Sequence, residues 1–193
     1  MYYDNRFTLK AASLGCLLLM PVMSARADLI KDSHLSLDAR NFYMNRDFRD
    51  PYRDVPAQRK NSDKVKAEDW VQAFGLRFES GFTEGPVGFG LDALGLVGLK
   101  LDSGAGTTGT GALAYNPATG KPSDEFSFMG LTAKAKVSKT QLAVGTFQPL
   151  LPVLFRNDTR SLPQTFEGVQ LQSDDLKNTQ VMAGRFDRSR YRD

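Results

Sequence analysis

Two long runs of alternating apolar and polar residues, joined by a short turn, occupy residues 70–101. A period of two residues is typical of a β-strand. Each run has about ten residues or more, which exceeds the ~5–6 of an average globular strand and approaches the ~9–11 that cross a bilayer. The second face of both runs carries glycine and charge, as a water-filled lumen allows. The runs therefore predict a membrane-spanning β-hairpin, and a dry soluble core remains the alternative.

The same alternation recurs along the chain. We predict seven strands, at residues 33–43, 69–79, 87–101, 125–137, 140–147, 165–172 and 179–187. The connections are alternately long and short, which is typical of outer-membrane barrels with short periplasmic turns and long outer loops. A soluble barrel or β-sandwich stays open on pattern alone. Because bacterial single-chain barrels have an even number of strands, eight or more, we expect an all-β transmembrane antiparallel β-barrel of which this chain is the N-terminal part.

The first 27 residues have the pattern of a secretory signal peptide. Arg6 and Lys10 precede a mostly apolar stretch, and residues 25–27 form an Ala-Arg-Ala cleavage site. We predict that residues 1–27 are removed and that residues 28–193 form the N-terminal part of a single β-barrel domain. A buried helix is the alternative, and Pro21 and the cleavage site argue against it.

Cleavage would leave 22 basic and 21 acidic side chains, because residues 1–27 hold three of the 25 basic residues and one of the 22 acidic ones. This balance, without a dense basic tract, gives nucleic-acid binding little support. Cys16 is the single cysteine and leaves with the signal, so the mature segment has neither a disulfide nor a thiolate metal site. The single histidine, His34, has strand neighbours that point to the opposite face, so no catalytic triad follows. We predict neither an enzyme nor a cofactor, and a loop Ca²⁺ site stays open.

Charges on the second face of the strands are the candidates for a pore lining. They are Arg40, Arg77, Lys100, Lys134 and Lys136, with Arg185 as a further candidate, balanced by Asp38, Glu79 and Asp92. A pore lined with Arg and Lys favours anions, and the planar Arg fork binds both oxygens of a carboxylate. The alternative role for each charge is to brace the wall. Leu94 and Leu96 also fall on this face, where we expect them to meet an inward-folded loop.

Several blocks of the sequence resemble the OprD family of outer-membrane porins. They are RNFYMNRDFR at 40–49, WVQAF at 70–74, ESGFTEG at 79–85, GFGLDALGLVGLKLDSG at 88–104 and LPVLFRNDTRSLPQTFEG at 151–168. The resemblance covers nearly all of the mature segment in order. It departs at Ala73, where glycine is expected, and in length, because family members are about twice as long or more.

This resemblance implies an eighteen-stranded barrel when complete, with a narrow channel for small carboxylate-bearing nutrients: basic amino acids, small peptides, or aromatic and aliphatic acids. It implies that the third long loop, residues 148–164, folds inward as the constriction, and that Arg40 and Arg46 are early rungs of a basic ladder. In that loop Arg156, Asp158 and Arg160 are candidates for substrate contact or for bracing. Small anionic solutes and outer-membrane lipid are the expected partners, and a monomer and a trimer both fit. An outer-membrane barrel enzyme and a non-conducting structural barrel are the alternative functions.

Overall fold

The computed structural model describes residues 30–47, 66–102, 109–116 and 121–191. The predicted signal peptide and most of the charged first connection lie outside these ranges. In chain order the strands are β1 His34–Asp47, β2 Lys66–Glu79, β3 Gly88–Asp102, β4 Tyr115–Asn116, β5 Lys121–Pro122, β6 Glu125–Val137, β7 Thr140–Phe147, β8 Leu150–Leu151, β9 Leu154–Phe155, β10 Thr165–Ser173 and β11 Val181–Arg190. No helix within the described part of the chain is long and apolar enough to cross a membrane.

The seven long strands form one antiparallel sheet in the order β1-β2-β3-β6-β7-β10-β11. Each strand pairs with the next long strand along the chain, so the sheet is a meander that curves into a half-barrel. All seven predicted strands are confirmed, with ends that move by a few residues. The two-residue pairs β4–β5 and β8–β9 lie inside long connections and were not predicted, because two residues are too few to show a period.

The two faces of the sheet differ in exposure as the alternation predicts. On the face that we call the outer face, large apolar side chains are open, including Leu35 at 69% and Met129 at 74% exposed. On the opposite, inner face, Val71, Ala73 and Thr132 are buried. A continuous apolar surface of this extent marks a membrane or protein contact, and its strand alternation matches lipid-facing barrel strands.

The inner face is covered by two of the long connections. Leu162, 1% exposed, packs with Ala73, Leu94 and Leu96 in one cluster, which confirms that Leu94 and Leu96 meet a loop. A second cluster joins Val71 of β2 to two residues of the 103–124 connection, Ala112 and Leu113. The protein core therefore consists of the inner face and the loops lying on it.

At the edge that carries the short connections, one aspartate ties two turns together. Asp175, between β10 and β11, accepts hydrogen bonds from the Ser138 hydroxyl at 2.6 Å, the Lys139 backbone N–H at 3.1 Å and the Thr140 hydroxyl. These bonds favour the charged carboxylate and hold the pKa of Asp175 below its usual value. We call this edge of the sheet the turn rim.

Replacing Leu162 by alanine should weaken the attachment of the loop to the sheet. Deleting a buried leucine side chain lowers the free energy of unfolding by about 2–4 kcal/mol, which urea titration of the full chain folded into lipid vesicles measures. Val153→Ala is the matched control, because Val153 lies in the same loop and is 92% exposed. Equal effects of the two substitutions would contradict the assigned packing.

The turn-to-turn link should persist in acid. Because the pKa of Asp175 is lowered by folding, the link stabilises the folded state above the unfolded value of 3.8 and is lost as the pH falls through the lower folded value. Carbon-detected NMR of the full chain in micelles should show the Asp175 carboxyl titrating below pH 3.8. Titration above that pH would refute the link, and Asp175→Asn identifies the resonance.

Candidate functional site

The third long connection, residues 148–164, lies on the inner face, and we call it the inward loop. Its chain is folded back on itself: the Arg156 N–H donates to the Pro149 carbonyl at 2.9 Å, and the Gln164 N–H donates to the Asn157 carbonyl at 2.8 Å. Three prolines, Pro149, Pro152 and Pro163, restrict its backbone further. Together with the burial of Leu162, these bonds give the loop one defined position against the sheet.

A charged contact joins the inward loop to β1 across 118 residues of sequence. Arg40 Nη1 donates to Asp158 Oδ1 at 2.7 Å and to the Arg160 carbonyl at 2.7 Å, and Arg40 Nη2 lies 3.4 Å from Asp158 Oδ2. Arg156 Nη2 lies 3.6 Å from the same Oδ2 atom. The geometry therefore makes Asp158 a brace whose partner on the wall is Arg40.

A cleft of about 130 Å³ opens between the inward loop and the inner face. The polar and charged groups that line it are Asp38, Arg40, Arg77, Gln148, Arg156, Asp158 and Ser161. Three guanidinium groups thus share one small space with two carboxylates. We call this space the arginine cleft.

Gln148 links Arg77 and Arg156, the two arginines of the cleft other than Arg40. Its Oε1 atom accepts a hydrogen bond from Arg77 Nη2 and another from Arg156 Nη1 at 3.4 Å. Gln148 Nε2 and Arg156 Nε are both buried, and neither has a hydrogen-bond partner among the described residues. Buried N–H groups are normally satisfied, so two unpaired donors beside three cations favour an acceptor, such as an anion, in this place.

The two lysines of β6 lie away from the cleft, near the turn rim. Lys134, with 8% of its side chain exposed, pairs with Asp92 at 2.6 Å and donates to the Ser80 carbonyl at 2.7 Å. Lys136 is exposed, and its Nζ lies 5.5 Å from the centre of the Phe82 ring. The structure thus gives Lys134 a bracing role and leaves Lys136 in contact with solvent.

The remaining predicted site residues are dispersed. Lys100 pairs with Asp124, and Arg160 donates from Nε to the Thr110 carbonyl at 2.8 Å, so both hold connections in place. Arg46 is exposed on β1, on the same face as Arg40 but six residues further along and outside the cleft lining. Arg185 pairs across the sheet with Val169, which in turn pairs with the outward Val144. Because cross-strand partners share a face, Arg185 lies on the outer face. The prediction that Arg185 lines the lumen is therefore wrong.

Sequence reasoning missed a second segment on the inner face, residues 109–116. The Thr110 hydroxyl donates to the buried Asp69 carboxylate, and the Ser161 hydroxyl donates to the Ala112 carbonyl at 2.7 Å, which joins this segment to the inward loop. The signal was present in β2, where Asp69 shares the face of Val71 and so needs a partner. Gln148 was also missed, because a single glutamine at a strand end carries no pattern.

Within the described ranges, no cluster of side chains is placed for metal binding or for histidine chemistry. No group of three or more His, Cys, Asp or Glu side chains there is placed to hold a metal ion. His34 is exposed at the start of β1. The chemistry of the inner face is therefore that of guanidinium, ammonium, amide and carboxylate groups.

Asp158→Asn should loosen the inward loop, because it removes the anion shared by Arg40 and Arg156. Loss of about 1 kcal/mol for this partly exposed pair corresponds to a roughly fivefold rise in the open population. Trypsin cleavage at Arg156 or Arg160 in the full chain measures that population. Asp187→Asn is the control, because Asp187 pairs with Arg185 far along the chain from the loop. Equal cleavage of both variants would contradict the brace.

Comparison with known proteins matches this architecture. The model for outer membrane porins of the OprD family matches residues 27–193. The porin-like protein GalP of Pseudomonas putida is 41% identical over 167 residues, which are 86% of this chain and 38% of that protein. A BenF-like porin of Pseudomonas fluorescens has a TM-score of 0.74 at 42% identity, covering 83% of this chain and 39% of its own. OpdK of Pseudomonas aeruginosa, solved with vanillate, has a TM-score of 0.68 at 34% identity, covering 83% and 37%.

These matches cover most of this chain but less than two fifths of each relative. The seven strands correspond to the part of each longer relative that aligns with this chain. Both the family model and the solved structures describe β-barrels of the outer membrane. The chain belongs to the OprD family of outer-membrane porins.

Proposed function

We propose that this chain forms part of a passive outer-membrane channel that admits small anionic solutes bearing a carboxylate. The family membership supports a pore, and the inner face supports a narrow one, because the inward loop lies against it. Diffusion down a gradient needs no energy-coupling site. We further propose that residues 28–193 follow a cleaved signal and form one barrel domain together with strands that the longer relatives contain.

The arginine cleft is the observation that supports carboxylates as the class of solute. Arg77 and Arg156 converge on Gln148, and two buried donors, Gln148 Nε2 and Arg156 Nε, have no acceptor within the part of the chain that the structure describes. A carboxylate supplies two acceptor oxygens and one negative charge, which matches this set of donors. OpdK, a relative of this chain, was solved with vanillate, which is itself a carboxylate.

The predicted site residues separate into two roles under this proposal. Arg77 and Arg156 contact the solute, and Arg46 and Lys136 add exposed positive charge before and after the cleft. Arg40, Asp158, Arg160, Lys100 and Lys134 hold the loops and the turn in place through the contacts described above. This division lets the bore stay fixed while the solute meets several weak sites, as rapid passage requires.

Ion selectivity tests the proposal. Reversal potentials of the complete barrel (this chain together with the strands that the longer relatives contain) should show anion preference in planar lipid bilayers under a salt gradient, and Arg77→Gln and Arg156→Gln should each reduce the anion-to-cation permeability ratio about twofold. The reason is that a unit charge ~8 Å away in water is worth about 0.5 kcal/mol.

Arg185→Gln is the matched control, because it removes the same charge from the outer face, where the side chain is 81% exposed. Its reversal potential should equal that of the wild type. Cation preference in the wild type, or equal shifts in all three variants, would refute the assignment of the cleft. A folded barrel that carries no current would support a structural barrel instead.

A further inference from the structure

We propose that the turn between β2 and β3, residues 80–87, forms a second narrowing of the pore, and that Lys136 beside it is a second contact for the anionic group of the solute. This inference rests on the proposed channel function. It concerns the turn rim, the opposite end of the sheet from the inward loop.

The turn is fastened to β3 by four hydrogen bonds and so has a fixed position. The Thr83 N–H donates to the Phe89 carbonyl at 2.9 Å, and the Phe89 N–H donates to the Thr83 hydroxyl at 2.9 Å. The Leu91 N–H donates to the Ser80 hydroxyl at 2.7 Å, and the Ser80 N–H donates to Asp92 Oδ1 at 3.1 Å. A segment held along its length in this way can set a bore.

The turn crosses the inner face of β3 instead of extending away from the sheet. A Cβ atom added to Gly90 would lie 2.7 Å from the Gly81 carbonyl oxygen, and one added to Gly88 would lie 3.0 Å from Phe82 Cβ. Both glycines are on the same face as Asp92 and Leu94, which is the inner face. The backbone and the Phe82 side chain therefore occupy space above the sheet that would otherwise belong to the lumen.

The charges around Phe82 determine what this narrowing attracts. The Nζ atoms of Lys134 and Lys136 lie 4.9 and 5.5 Å from the centre of the ring, and the aromatic face stabilises both cations. Asp92 neutralises the buried Lys134. Lys136 and Glu84 of the turn itself are both exposed. Lys136 is the exposed cation beside Phe82, so its ammonium group is the charge that attracts an anionic group there.

The two narrowings act in series. Leu94 lies beneath the inward loop and Gly90 beneath the turn, and four strand residues separate them by about 13–14 Å. This spacing exceeds the length of a small carboxylate, so a solute touches one narrowing at a time. Contacts that are weak and repeated favour passage over retention.

Single-channel conductance of the complete barrel in planar bilayers tests the narrowing. Phe82→Ala removes the ring from the lumen and should raise conductance by roughly a half. Phe89→Ala is the matched control, because it removes the same ring from the position between Gly88 and Gly90, the two glycines that the turn covers. Phe89, however, is on the outer face of β3 and is 58% exposed. Conductance unchanged by Phe82→Ala in a conducting barrel, or raised equally by both variants, would overturn the proposal.

Charge selectivity tests the contact with Lys136. Lys136→Gln should lower the anion-to-cation permeability ratio about twofold, whereas Lys139→Gln, in the adjacent exposed turn, should lower it less. Equal effects of the two variants would show that Lys136 acts only as part of the general surface charge and would overturn its assignment.

Thiol labelling separates this inference from the channel function, since it needs no current. In the full chain folded into vesicles, Lys136→Cys should react with a small methanethiosulfonate and be shielded from a bulky one, and adding Phe82→Ala should remove the shielding. Such a result would support the narrowing even if the wild type carried no current. A lack of current would refute only the proposed channel function. Equal reaction with the bulky reagent, with and without Phe82, would overturn the narrowing.

Discussion

The contact between the inward loop and the inner face is the interaction on which the rest of the structure depends. Leu162 excludes water from Ala73 and Leu94, and Arg40 binds Asp158 beside this apolar patch. The apolar burial supplies stability, while the bidentate ion pair adds geometric specificity. Without this contact neither the arginine cleft nor a fixed bore would exist, because Arg156 and Gln148 reach the cleft only when the loop is seated.

Charge on the inner face serves two purposes that the structure separates. A buried charge must have a partner, and Lys134 has Asp92 and the Ser80 carbonyl. The arginines of the cleft are more open than Lys134, and among the described residues Arg156 Nε has no acceptor. Four of the basic site residues, Arg40, Lys100, Lys134 and Arg160, therefore hold loops and turns to the wall. We assign the other four, Arg46, Arg77, Lys136 and Arg156, to the solute. A pore needs both, since a charged lining attracts anions only while its shape is maintained.

The sequence predicted the sheet better than the contacts on it. Strict alternation in β6, and alternation in β3 that is interrupted only by Leu94 and Leu96, identified both strands and both faces, because the period of two follows directly from strand geometry. The partner of Asp158 could not be predicted in this way, since Arg40 lies 118 residues away and any of several cations satisfies the same chemistry. The folding of residues 80–87 across the inner face was also hidden, because Gly88 and Gly90 fit an open lumen wall as well as a covered one.

The most direct test of the central contact is a charge exchange between the loop and the wall. Single-channel conductance of the complete barrel would be recorded for Arg40→Asp, for Asp158→Arg and for the double variant. We predict that each single reversal raises the conductance and makes the current fluctuate, because two like charges push the loop from the wall, and that the double variant returns to the wild-type value. Additive effects, with the double variant further from the wild type than either single one, would contradict it.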